Sequence, residues 1–155
     1  MRKFTLLFLL TTFTISAQKI SGEIKDTDKY SKTVIKMNET YANNDHSVWD
    51  EMLSDDAKVY LNNTVVDGKT VKEAFKGHHS IFNDIKIIEA YAHTNYFKSG
   101  DVWTNNWFIW MGTGNKTGIR FSNRAHFDMK WDNGKIIEML CYFDNTALNM
   151  EITAQ

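Results

Sequence analysis

The sequence predicts an α+β domain in which helices come first and an antiparallel sheet follows. Three observations carry this. Apolar residues recur at helical spacing in the first half, the period shifts to that of strands from Ile85 onward, and two four-residue turns divide the later half into hairpins.

From Thr27 to Ala42, Tyr30, Val34, Met37 and Tyr41 fall on one helical face, and Asp26 or Thr27 is placed to cap the start. The polar break Asn43-Asn44-Asp45 then opens a short second helix, with Asp45 as cap and Val48, Trp49, Met52 and Leu53 as its apolar face. After Ser54-Asp55-Asp56, residues Ala57 to Asn62 read as a strand, and Asn63 to Gly68 as a second short strand or a loop ending in a turn. Thr70-Val71-Lys72-Glu73 fits a capping box, in which hydroxyl and carboxylate satisfy free amides at a helix start. The third helix that follows carries Val71, Ala74, Phe75, His78 and Phe82 on one stripe, so a histidine stands where a core residue is expected.

Four long strands complete the pattern. Ile85 to Phe97 and Val102 to Met111 flank Lys98-Ser99-Gly100-Asp101; Ile119 to Trp131 and Ile136 to Phe143 flank Asp132-Asn133-Gly134-Lys135. The second turn holds an Asn-Gly pair, suited to two consecutive positive φ angles. Ala125, Phe127, Met129 and Trp131 alternate with Arg124, His126, Asp128 and Lys130, which gives a half-buried strand with His126 and Asp128 on its outward face. The last strand repeats this rhythm with Ile137, Met139, Cys141 and Phe143 as the expected inner set. Val102 to Met111 carries aromatics on both faces, so its orientation stays open.

The first residues have the order of a secretory signal peptide. Met1-Arg2-Lys3 is basic, Phe4 to Ile15 is an apolar core, and Ser16-Ala17-Gln18 offers small residues for cleavage after Ala17. A retained anchor is the alternative reading, but the core falls short of the roughly 20 apolar residues that a span needs. The chain thus divides into a signal peptide (1–17), an N-terminal extension (18–25) and a single domain (26–155), exported to the periplasm or secreted, with no stable membrane insertion after cleavage. The single cysteine, Cys141, is far from the cut, which excludes a lipid-modified N-terminus and an internal disulfide. A hydrophobic content of 43% and an aromatic content of 14% exclude disorder, and a formal charge of -1 gives no electrostatic case for nucleic acid.

The element order, with Asn44-Asp45 before the second helix, Ser54-Asp55-Asp56-Ala57 before the first strand, and Gly68 and Gly77 around the third helix, resembles nuclear transport factor 2-like domains. The stretch Asp132-Asn133-Gly134-Lys135-Ile136 followed by Tyr142-Phe143-Asp144 is similar to the closing hairpin of the SnoaL-like, or polyketide cyclase-like, branch. This resemblance covers nearly the whole mature chain. It implies three N-terminal helices packed in a strongly curved, mainly antiparallel sheet, a cone-shaped α+β barrel enclosing a pocket. Its members include ketosteroid isomerases, polyketide cyclases, epoxide hydrolases, dehydratases and non-catalytic binders. Counted from the shared turns, the isomerase base falls near Leu61, its tyrosine donor near Met37 and its protonated aspartate near His126 or Phe127. Leucine and methionine cannot move that proton, so ketosteroid isomerase is rejected.

The candidate catalytic residues are His78 and Asp144. His78 is either a pocket acid/base or ligand donor, or a core histidine bonded to a backbone carbonyl. Asp144 matches an aspartate common in SnoaL-like sequences, or else caps a terminal helix beginning near Thr146. Tyr60, Asn62, Asn105, Trp107 and His126 are the candidate ligand-binding residues. His78 and His79 diverge by about 100° around a helix and have no metal-ligand spacing, so neither a metal nor a cofactor is expected. The leading functional reading is a pocket protein for a small, largely apolar molecule. A lyase, isomerase or hydrolase using Asp144 or His78, and an interaction module using the open sheet face, are the alternatives. A homodimer through that face is also expected.

Overall fold

The computed structural model describes residues 20–154, so the expected signal peptide lies outside the described residues. In chain order the elements are β1 (Gly22–Lys25), α1 (Lys29–Ala42), α2 (Ser47–Met52), β2 (Leu53–Leu61), β3 (Thr64–Asp67), α3 (Gly68–Ile81), β4 (Phe82–Phe97), β5 (Val102–Gly114), β6 (Arg120–Asp132), β7 (Lys135–Phe143) and α4 (Thr146–Thr153). All seven strands form one sheet in the order β1-β4-β5-β6-β7-β2-β3, antiparallel except where β2 runs beside β7. The sheet is curved and unclosed, as the α+β expectation requires. Within the stretch expected as an extension, Gly22–Lys25 adds a strand at the sheet edge, paired with Thr94 to Phe97.

Two helix starts differ from the sequence reading, both because a nearby carboxylate reaches the free amides better than the expected cap. Asp28, not Asp26 or Thr27, begins α1 by accepting from the amides of Ser31 at 3.0 Å and Tyr30 at 3.3 Å. It also accepts from the Tyr96 hydroxyl. Burial pushes this carboxyl up, yet the donors outweigh it and hold its pKa at about 2. Likewise Asp67 accepts from the Thr70 amide at 2.7 Å, so α3 starts at Gly68, ahead of the expected capping box. Glycine is required there, because a Cβ on Gly68 would strike the Ser54 carbonyl.

Curvature arises where β4 changes register. Its pairing with β5 shifts between Asn83 and Lys86 and again between Ile88 and Tyr91, and Asp84 and Glu89 take positive φ of 49° and 51° at these points. Each bulge inserts an unpaired residue, bends the strand and exchanges its two faces. Phe82 and Ile85 are buried on one side of the second bulge and Ala92 and Thr94 on the other. The closing turn forms as expected, with Asn133 at φ 47° and Gly134 at φ 79°.

The orientation of β5 is now fixed. Thr104, Asn106 and Phe108 point into the hollow, and Trp103, Asn105 and Trp107 outward. On β7 the fully buried residues are Ile136, Met139 and Cys141, so Ile137, expected inside, is instead exposed; the β6 pairing shifts between Lys130 and Trp131 beside it. The core contains polar groups that satisfy one another. Ser31, Thr94 and Thr104 hydroxyls are linked at 2.9 Å and 2.8 Å, the Trp131 indole donates to Thr104 at 2.9 Å, and the Asn38 and Asn106 amides exchange two bonds of 3.1 Å. These bonds lock α1 to β4 and β5 and offset the cost of burying the groups.

Candidate functional site

Beyond the Asn38–Asn106 pair, the C-terminal halves of α1 and α3 and the facing sheet line a cavity of about 90 Å³. Its walls are aromatic: Trp49 from α2, Phe75 from α3, Phe82 from β4, Phe108 and Trp110 from β5, Phe127 from β6 and Phe143 from β7. Ala147 and Leu148 of α4 border it, with Asn123, Asp144 and Asn145. α4 is tied down by Glu151, which is 1% exposed and accepts from the Lys116 amide and from the Thr117 amide and hydroxyl at 3.2 Å and 2.7 Å. Burial pushes the Glu151 carboxyl up, but these donors prevail and hold it below the usual carboxylate range.

A hydrogen-bond chain ends in this cavity. The Trp110 indole N–H donates to the Tyr41 hydroxyl at 3.0 Å, and that hydroxyl lies 2.8 Å from His78 Nδ1. Indole can only donate, so Tyr41 oxygen accepts from it. The phenol proton then has one partner among the described residues, His78 Nδ1. Donating to it makes Nδ1 an acceptor and places the histidine proton on Nε2. Burial keeps the Tyr41 phenol protonated, far above its ordinary pKa and against the smaller pull of the Trp110 N–H. Burial, helped by His79 and His46, lowers the His78 pKa to about 4, so its ring is neutral at physiological pH.

His78 lines the cavity, and its partner is a tyrosine hydroxyl rather than a backbone carbonyl. The backbone-carbonyl bond expected of a core histidine belongs to its neighbour, since His79 Nε2 donates to the Tyr41 carbonyl at 2.8 Å. Asp144 borders the cavity and accepts from the Thr146 amide at 2.8 Å and hydroxyl at 2.6 Å at the start of α4, one residue ahead of the N-cap position, Asn145. Those bonds lower its pKa.

The five candidate ligand-binding residues do not line this cavity. Asn62, at φ 52°, donates its amide N–H to the Phe143 carbonyl at 2.9 Å and accepts from the Phe143 N–H at 3.1 Å, clamping the end of β2 to β7. Tyr60 pairs with Leu140 and lies under the Lys58 ammonium. Asn105 and Trp107 line an open outer groove of about 460 Å³ with His93, Asn95, Trp103 and Asp128. His126 is registered opposite Trp107, stacked on it at 4.3 Å, and its Nε2 lies 2.8 Å from Asp128 Oδ1 without an aligned hydrogen bond. Sequence reasoning missed Tyr41, Trp110 and Asn38. Tyr41 and Trp110 read as core aromatics, and only the polar atom each must satisfy when buried marks them. Among the described residues no His, Cys, Asp and Glu cluster could hold a metal, and no helix is long and apolar enough to cross a membrane.

A curved, incompletely closed sheet packed against helices is the nuclear transport factor 2-like fold. The chain has that fold, and the solved structures that share it include members of the SnoaL-like branch. A Jannaschia protein assigned as a SnoaL-like polyketide cyclase superposes with TM-score 0.57 at 14% identity, over 80% of this chain and 91% of its own. A Bacillus subtilis protein assigned as an isomerase gives TM-score 0.63 at 14% identity, over 80% and 92%. A nuclear transport factor 2-like protein from Anabaena variabilis gives 0.58 at 18%, over 74% and 86%. No family's sequence model matches the chain, and no curated protein gives a significant match.

Proposed function

We propose that this protein is an exported, non-catalytic binder of a small, largely apolar molecule held in the aromatic cavity. The observation that carries the reading is an apolar cavity into which a neutral histidine is held by Tyr41 and Trp110. Cavities of this kind, apolar with few placed polar groups, are the usual form of a small-molecule site. At roughly 10–15 Å³ per water-sized position, the interior suits a ligand of about one ring and a substituent. Catalysis by proton transfer has less support. With the Tyr41 proton paired to Nδ1, His78 turns a proton and no lone pair to the cavity, and Asp144 is engaged at the start of α4. The cyclase and isomerase assignments of the structural neighbours keep a lyase, isomerase or hydrolase as the competing reading.

Export rests on the basic, apolar and small-residue order of residues 1–17. Homodimerisation through the outer sheet face rests on a cross-strand row of Tyr91, Trp107, His126 and Tyr142, in which the tyrosines and tryptophan are 52%, 38% and 51% exposed in the order Tyr91, Trp107, Tyr142. Such a row is an apolar patch that a second copy would cover. The binding reading is tested by NMR titration with toluene, cyclohexanone and indole. Saturable shifts confined to residues around the cavity are expected from at least one, and an absence of shifts from all three would overturn it.

A further inference from the structure

We infer that the cavity selects neutral ring compounds bearing an acceptor atom, which receives the His78 Nε2 proton, and that it discriminates against anions. This rests on the binding reading above and names the ligand chemistry of the same site. Trp110 fixes the direction of the first bond, and pairing the phenol proton sets the second. Trp110 Nε1 has only a proton to give, and among the described residues the one partner for the Tyr41 proton is His78 Nδ1, so satisfying that proton makes Nδ1 the acceptor. What the chain delivers to the cavity is one fixed N–H donor.

Of the other polar lining groups two amides are committed, while Asn145, exposed beside α4, makes no capping bond with its side chain. The Asn38 amide is paired reciprocally with Asn106, and the Asn123 amide donates to the Asp144 carbonyl at 2.9 Å. An apolar ligand with no acceptor would therefore leave the His78 N–H without a partner, which carries the penalty of an unsatisfied buried donor. The charge pattern sets the second half of the selection. Among the described residues neither lysine nor arginine lines the cavity, and the single charged lining residue is Asp144. An anion would lose its hydration, gain no counter-charge and approach a carboxylate. The same chain works against His78 as a general base. Freeing the Nε2 lone pair would put a proton on Nδ1 and turn the Tyr41 O–H away from its acceptor.

Two measurements test this separately. In the protein alone, long-range ¹H–¹⁵N spectra of the histidine rings read the tautomer directly. His78 is expected with Nε2 protonated and Nδ1 bare, and with mixed tautomers in Tyr41→Phe. A His78 protonated on Nδ1 in the wild type would overturn the inference. The second measurement is the affinity of three near-isosteric probes: ethylbenzene, acetophenone and benzoate. Acetophenone is expected to bind about threefold to tenfold tighter than ethylbenzene, the range of one net hydrogen bond. Benzoate is expected to be the weakest. The preference should narrow in Tyr41→Phe and vanish in His78→Leu. Equal affinity for ethylbenzene and acetophenone, or a preference for benzoate, would overturn the inference while leaving the pocket reading intact. Failure of all three probes to bind, with the expected tautomer present, would remove the pocket reading and this inference with it.

Discussion

His78 makes the acid stability of this protein a direct readout of its site. In the unfolded chain the imidazole titrates near 6.5, and in the folded protein burial delays protonation to about pH 4. Between those values the unfolded chain binds the extra proton, so stability must fall as pH falls through this window. Above pH 6.5 the effect is absent, and below about pH 4 it is complete. At about 1.4 kcal/mol per pH unit, the gap corresponds to about 3 kcal/mol. The perturbation is His78→Gln, which keeps a polar side chain of similar size and cannot take up the proton. The assay is urea unfolding of both proteins at steps from pH 7.5 to pH 4. His46, whose pKa is also lowered, first by burial and then by His79, contributes in the same direction in both and largely cancels in the difference. The stability of the wild type relative to His78→Gln should decline by about 3 kcal/mol across the range. Parallel pH profiles would refute the reasoning, because they would mean that His78 titrates as an open, hydrated histidine does.

Three other outcomes are expected. Tyr41→Phe strands the buried Trp110 N–H and His78 Nδ1 together and should cost about 2 to 4 kcal/mol in urea unfolding, where a cost near zero would show that the chain is not formed. Glu151→Ala should release α4 from the β5–β6 turn, seen as faster hydrogen exchange at the Lys116 and Thr117 amides and through Thr146–Thr153; unchanged protection there would contradict the clamp. Trp107→Arg should convert a dimer to a monomer by light scattering at micromolar concentration, and a monomeric wild type would refute the sheet-face dimer.

The element order was legible because its signals are local. A four-three-four apolar stripe marks α1, a strict alternation marks β6, and Asn133-Gly134 marks the turn between β6 and β7. The parity of β4 was not legible. Its bulges fall at Asp84 and Glu89, which carry none of the glycine signals that usually betray a positive φ. The orientation of β5 was hidden because both its faces are aromatic, and burial went to Phe108 and Asn106 only through their partners on β6 and α1. The site divides in the same way. His78 stood out as a polar residue on an apolar stripe, whereas Tyr41 and Trp110 completed apolar patterns and concealed their polar atoms. Asp144 carried two meanings at one position, and the structure bonds it to Thr146 at the start of α4 while leaving it beside the cavity.

The central claim is that the aromatic cavity is a small-molecule site. The most direct measurement is an experimental structure of the protein purified from its native host, inspected for density between His78, Phe82, Trp110 and Phe127. The expected result is density for a bound molecule that places an acceptor atom within hydrogen-bond distance of His78 Nε2. A cavity closed by the inward collapse of its own Trp and Phe side chains would contradict the claim and move the function to the outer sheet face.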